Sequence, residues 1–79
     1  MESQQSQRGA LMQLNWNNVD DIAIELYEGD PDYNPLQIRF TDLIERILSL
    51  PGFIGERDKC NEKVLEAIQM IWLEEFNDA

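Results

Sequence analysis

The stretch NEKVLEAIQMIWLEEF, Asn61 to Phe76, decides how the rest of this chain is read. Val64, Leu65, Ile68, Ile71, Trp72 and Phe76 recur at the three-and-four spacing that stacks side chains along one side of an α-helix. Ala67, Met70 and Leu73 widen the apolar surface beyond a single stripe, so the helix is expected to be covered on more than one side. Glu62, Glu66 and Gln69 interrupt the run, which is also too short to span a membrane. The segment therefore predicts the central helix of a small helical domain.

Seventy-nine residues make one domain. A chain of this length buries only about two-thirds of its unfolded surface, so its stability should be modest. Sixteen acids against six bases give a formal net charge of −10. Residues 14–79 carry fifteen acids and five bases, which is the whole excess. Such a field repels nucleic acid and anionic membranes and attracts basic protein surfaces and hard cations. An acid-rich surface that merely keeps the protein soluble is the plainer alternative. The one cysteine, Cys60, excludes an internal disulfide. That cysteine usage and the lack of a basic-then-apolar N-terminal signal predict a reducing, cytoplasmic location. Without histidine the usual general base and the commonest transition-metal ligand are missing, which excludes an ordinary nucleophilic triad.

Residues 1–13 are rich in Gln and Ser and predict a disordered leader or a remnant of expression, with the domain proper over 14–79. Trp16 is expected to lie as a hydrophobic lid on the core. Asn17 or Asn18 suits the N-cap of a first helix whose apolar face is Val19, Ile22, Ala23, Leu26 and Tyr27. Asp20 and Asp21 favour its positive end, and Gly29 is expected to end it at C′. Asp21, Glu25 and Glu28 line one strip of this helix with no base between them. Like charges at that spacing destabilise a helix by a few tenths of a kcal/mol per pair, roughly. The strip is a docking surface, a weak cation site or a solvated face.

Asn34-Pro35 reads as N-cap and N1 of a short turn through Ile38. Asp30 and Asp32 lack the Gly and distal Glu of a calcium loop. Thr41 can cap the next helix, Asp42 suits its first turn, and Leu43, Ile44, Ile47, Leu48 and Leu50 face inward. Pro51-Gly52 stops that helix. Phe53 and Ile54 then predict a short extended arm or a wing, and Cys60 or Asn61 begins the long last helix. Cys60 reads as a small residue at a helix start, though a thiol there can be activated. The fold class expected is mostly α, a small winged-helix-like domain of helix-turn-helix type with three to four helices and a long C-terminal helix. The acid excess argues against its DNA-binding version.

Leu14-x-Trp16, Glu25-Leu26-Tyr27-Glu28-x-x-Pro31-Asp32, Arg39-Phe40-Thr41-Asp42, Asn61-Glu62-Lys63-Val64-Leu65-Glu66-Ala67-Ile68 and Ile71-Trp72-Leu73-Glu74-Glu75 occur in this order. Together they resemble the IscX family of small acidic iron–sulfur assembly proteins, over about residues 14 to 76. The resemblance implies a helical, winged-helix-like monomer that is not an enzyme and needs no organic cofactor. It implies binding to a basic surface of the cysteine desulfurase, and weak iron binding through carboxylates. It carries the docking face onto Glu25, Glu28, Asp32 and Asp42, with Asp21 where an acid is usual and Arg39 able to pair with an acid such as Asp42. The same residues Asp21, Glu25 and Glu28 are the candidates for weak iron. Phe40 is expected in the core, and Glu62, Lys63 and Glu66 as solvated decoration of the last helix. The loop Pro51–Lys59 departs from the strongly acidic form found in the family, since it carries two acids and two bases. Three functions are consistent with these residues: an adaptor that modulates the desulfurase, an iron carrier, and, against the charge, a nucleic-acid binder.

Overall fold

The computed structural model describes residues 13–78. The expected leader, apart from Gln13, lies outside the described residues. The chain forms α1 (Val19–Gly29), α2 (Phe40–Leu48) and α3 (Glu62–Asp78), with 3₁₀ turns at Pro35–Gln37 and Arg57–Lys59. α3 is the spine. α1 lies along it, the Pro35–Gln37 turn rests on it, and α2 touches both helices over a smaller area. No helix among the described residues is long and apolar enough to cross a membrane.

The helical period explains what is buried. Leu65, Ile68 and Trp72 of α3 are buried, and they meet Ile22, Ala23 and Leu26 of α1 and Leu43 and Ile47 of α2 in one core. Val64, Ile71, Phe40, Ile44, Leu48 and Leu50 pack partly buried around it. The wider apolar surface of α3 is not fully covered, because Met70 keeps 52% of its surface exposed. Two shorter helices and a turn supply too little mass to enclose a 17-residue spine on every side.

The helix ends follow local chemistry only in part. Asn34 accepts a hydrogen bond from the Leu36 N–H at 3.0 Å, with Pro35 at N1, as the Asn-Pro pair predicts. Asn61 accepts from Val64 N–H at 3.0 Å and begins α3. Asn18 holds the N-cap position of α1, but its side chain turns back to accept from Asn15 N–H at 3.0 Å. Asn15 in turn accepts from Asn17 N–H. These two side chains fold the approach to the helix instead of capping it. α2 starts one residue before Thr41, at Phe40, so Thr41 lies inside the helix and caps nothing. Gly29 is the last residue of α1, not a left-handed C′; Asp30 follows as C-cap with φ −154° and donates its N–H to Leu26 and Tyr27 carbonyls.

The arm after α2 is tied to the segment before α1. Leu14 and Phe53 form one isolated parallel bridge, with Leu14 N–H donating to Gly52 O at 2.8 Å and Ile54 N–H to Leu14 O at 2.7 Å. Among the described residues this bridge stands in place of a β-ribbon wing. Gly52 has φ 83°, which turns the chain sharply after Pro51 at a position that disfavours any side chain. Trp16 is buried as a lid, and its Nε1–H donates to Glu56 O at 2.7 Å. Phe53 meets the Trp16 ring edge-on, at 4.9 Å between centroids and 75°.

Gly55 sits beneath this pair. A Cβ built there would lie 2.7 Å from Phe53 Cζ and 2.8 Å from Trp16 Nε1. Gly55→Ala is therefore expected to push the two rings apart and destabilise the fold by about 1–3 kcal/mol, the usual range for overpacking. Gly29→Ala meets nothing within 4 Å and should leave stability unchanged or raise it. Thermal unfolding followed by circular dichroism separates the two, and equal melting temperatures would remove the steric account of Gly55.

Candidate functional site

Of the acids singled out from the sequence, Glu25 lies at the junction of α1 with α2. An open groove of about 340 Å³ runs there, lined by Glu25, Leu26 and Gly29 of α1 and by Glu45, Arg46, Ser49 and Leu50 of α2 and its end. Leu26 and Leu50 are its apolar lining, and each helix contributes one acid, Glu25 from α1 and Glu45 from α2. Glu28 lies one turn beyond Glu25 and is exposed. Asp42 lies one turn before Glu45 and Arg46 and is exposed. Asp32 is exposed two residues past Asp30, whose carboxylate meets Arg46. Asp21 is half-buried one turn before Glu25.

The local bases are mostly used within the fold. Arg46 donates from Nη1 to Asp30 Oδ2 at 3.4 Å. Its guanidinium also lies 4.4 Å from the Tyr33 ring centroid and 5.8 Å from that of Trp72. Tyr33 stacks on Trp72 at 5.8 Å and 24°. One arginine thus fastens the loop Asp30–Tyr33 to α2 and to the spine. Arg57 of the arm pairs with Glu45. Among the described residues Glu25, Asp32 and Asp42 have no ion-pair partner, and no ion pair joins Arg39 to Asp42. Arg39 is exposed at the N-cap of α2. Phe40, expected in the core from the resemblance, is instead half-buried and packed against it.

Among the described residues no three acidic or thiol side chains come together as a group able to hold a metal ion. Asp21, Glu25 and Glu28 share a helix face without surrounding a common point. Carboxylates that must first gather around an ion hold it weakly. Cys60 is half-buried against the core between the Arg57–Lys59 turn and the Asn61 cap.

Two members of this site escape a reading of the chain alone. Glu45 and Arg46 show only local signals, an exposed acid and a base in the last turn of a helix that suits its dipole. Their roles depend on what α2 packs against, which no local pattern contains.

The model of the iron–sulphur cluster assembly family matches residues 14–77. A protein of Pseudomonas aeruginosa entitled as uncharacterized is 44% identical over 64 residues, spanning 81% of this chain and 97% of that protein.

The arginine latch is open to measurement. Arg46→Ala should lower stability by roughly 1–2 kcal/mol, since a partly desolvated cation over aromatic rings contributes about that much. Asp30→Asn should cost less than about 1 kcal/mol, because its pairing is long and half-exposed. Urea unfolding of both variants checks the order; a larger loss for Asp30→Asn would assign the latch to the ion pair instead of the rings.

Proposed function

The chain belongs to the iron–sulphur cluster assembly family, the IscX family, and we propose that it serves the assembly as an acidic adaptor docking on the cysteine desulfurase. Its role lies in iron–sulphur cluster assembly. On this reading the protein performs no catalysis of its own and modulates the desulfurase by occupying a basic face. It works as a monomer in the cytoplasm, with neither nucleic acid nor membrane as partner. The scaffold is then a winged-helix relative that presents acid where a duplex binder would need base.

The observation that carries the proposal is the uncompensated acid around the α1–α2 junction. Arg46 is held by Asp30 and two rings, and Arg57 by Glu45. Asp32 and Asp42 are exposed, Glu25 is half-buried at the groove, and none of the three has an ion-pair partner among the described residues. Charge of this kind steers a positive partner during encounter and fades as salt screens it. Glu28 and Arg39 extend the same docking face. Iron is proposed as a weakly held cargo on Asp21, Glu25 and Glu28, since hard oxygen donors suit ferric iron and tolerate ferrous iron. Separated carboxylates suit docking better than metal storage, which places the adaptor ahead of the iron carrier.

Two measurements test these assignments. Glu25→Lys and Asp42→Lys should each weaken desulfurase binding about three- to tenfold in low salt, and flatten its salt dependence, as reversal of steering charges does. Undiminished binding by both variants would remove this face. Asp21→Asn combined with Glu25→Gln should lower iron affinity without changing the circular dichroism spectrum. Superimposable iron titrations of variant and parent would remove the metal from α1.

A further inference from the structure

We propose that the groove between α1 and α2 is a socket for one lysine or arginine side chain projecting from the basic partner surface; the proposal rests on the docking reading above. Four features of the groove select such an occupant. Its apolar lining is Leu26 and Leu50, surface suited to the aliphatic stem of a long cationic side chain. Each helix contributes one acid, Glu25 and Glu45, so the charged head would meet carboxylates. Gly29 leaves the rim open, because no side chain projects there and a Cβ would meet nothing within 4 Å. The guanidinium of Arg46, though its residue lines the groove, is drawn onto Asp30 and the Tyr33 ring and leaves Glu25 uncompensated.

The other acid, Glu45, is already answered by a cation of the chain itself. Arg57 reaches from the arm to Glu45, and both side chains are more than half exposed. Exposed pairs of this kind are held by little free energy, so an incoming cation can share Glu45 or replace Arg57 there. A purely apolar side chain would cover the apolar lining but leave Glu25 desolvated and unpaired, which is unfavourable. A metal ion would find two carboxylates beside a hydrocarbon lining, too few oxygen donors for a hard cation. Anchoring of one long side chain in a desolvated pocket, ringed by weaker charge contacts, is the usual distribution of energy in a protein interface.

The groove can be blocked without touching a single charge. Gly29→Phe places a ring in the opening at a backbone position that is not left-handed. Ser49→Phe does the same from an exposed position at the end of α2, so a folding defect in one variant leaves the other to decide. Binding of each full-length variant to the cysteine desulfurase is titrated at low and moderate salt, with thermal unfolding as control and Asp42→Lys in parallel. The expected result is a loss of about tenfold or more in affinity for the blocked variants, the range of a hot-spot contact, with the parental salt dependence kept. Parental affinity in both blocked variants overturns the socket. If Asp42→Lys then still weakens binding, the acidic docking face stands without a socket; if it also binds as the parent does, the docking face falls too. A change in hydrodynamic mass of the protein alone on Gly29→Phe would assign the groove to a second copy and overturn the proposal. Parental affinity with altered backbone resonances in residues 1–12 of the free variant would assign it to the chain's own N-terminal segment, with the same consequence.

Discussion

The packing of Trp72 governs this molecule. Its ring is wholly buried in α3, and its indole N–H makes no hydrogen bond among the described residues. A buried donor left unpaired costs roughly 1–3 kcal/mol, so the ring must return more than that through contact. It does so on one side by stacking with Tyr33 and under the reach of Arg46. This brings the loop after α1 and the last turn of α2 to the same point on the spine. The loop and α2 have few other means of finding one another, since α2 shares little direct contact with either neighbour.

That arrangement has an electrostatic corollary. The chain carries ten more acids than bases, and the two arginines nearest the α1–α2 junction are committed to internal partners. The fold therefore spends cations on architecture in the very region where its acids crowd. Mutual repulsion among those acids opposes compaction, and the core must overcome it. A surface of this sort favours association with something positive, because binding relieves the repulsion at the same time as it gains attraction.

Much of the architecture is legible where a local rule and the global fold agree. The period of Leu65, Ile68 and Trp72 reveals the spine, and Asn34-Pro35 and Asn61 mark a turn and a helix start through caps that form as expected. Where side chains have a choice, locality fails. Asn18 sits at the right place but bonds backward to Asn15, Thr41 is overtaken by a helix that begins at Phe40, and Gly29 keeps an ordinary backbone. Met70 looks like core by period and lies outside, since no element among the described residues covers it. Of the site, Glu25 is visible in sequence as an acid on a helix that carries no base, whereas Asp42 stands between Arg39 and Arg46 and pairs with neither among the described residues. The groove itself and the entanglement of Arg46 with two rings arise only once α1 and α2 meet.

The tie between the residues before α1 and the arm carries a consequence for how the chain reaches its native state. The Trp16 indole and the Glu56 carbonyl are separated by forty positions. Closing so long a loop has an entropic penalty, and the main helix pair meets the same one, since α1 packs on α3 across a comparable length of chain. The parallel pairing of Leu14 with Phe53 sets a similar demand. The clasp and the seating of α1 on the spine therefore close over much the same stretch of chain, and either one shortens the loop left for the other. During synthesis the residues nearest the start of the domain therefore wait for those nearly two-thirds of the way along it before they have anything to hold.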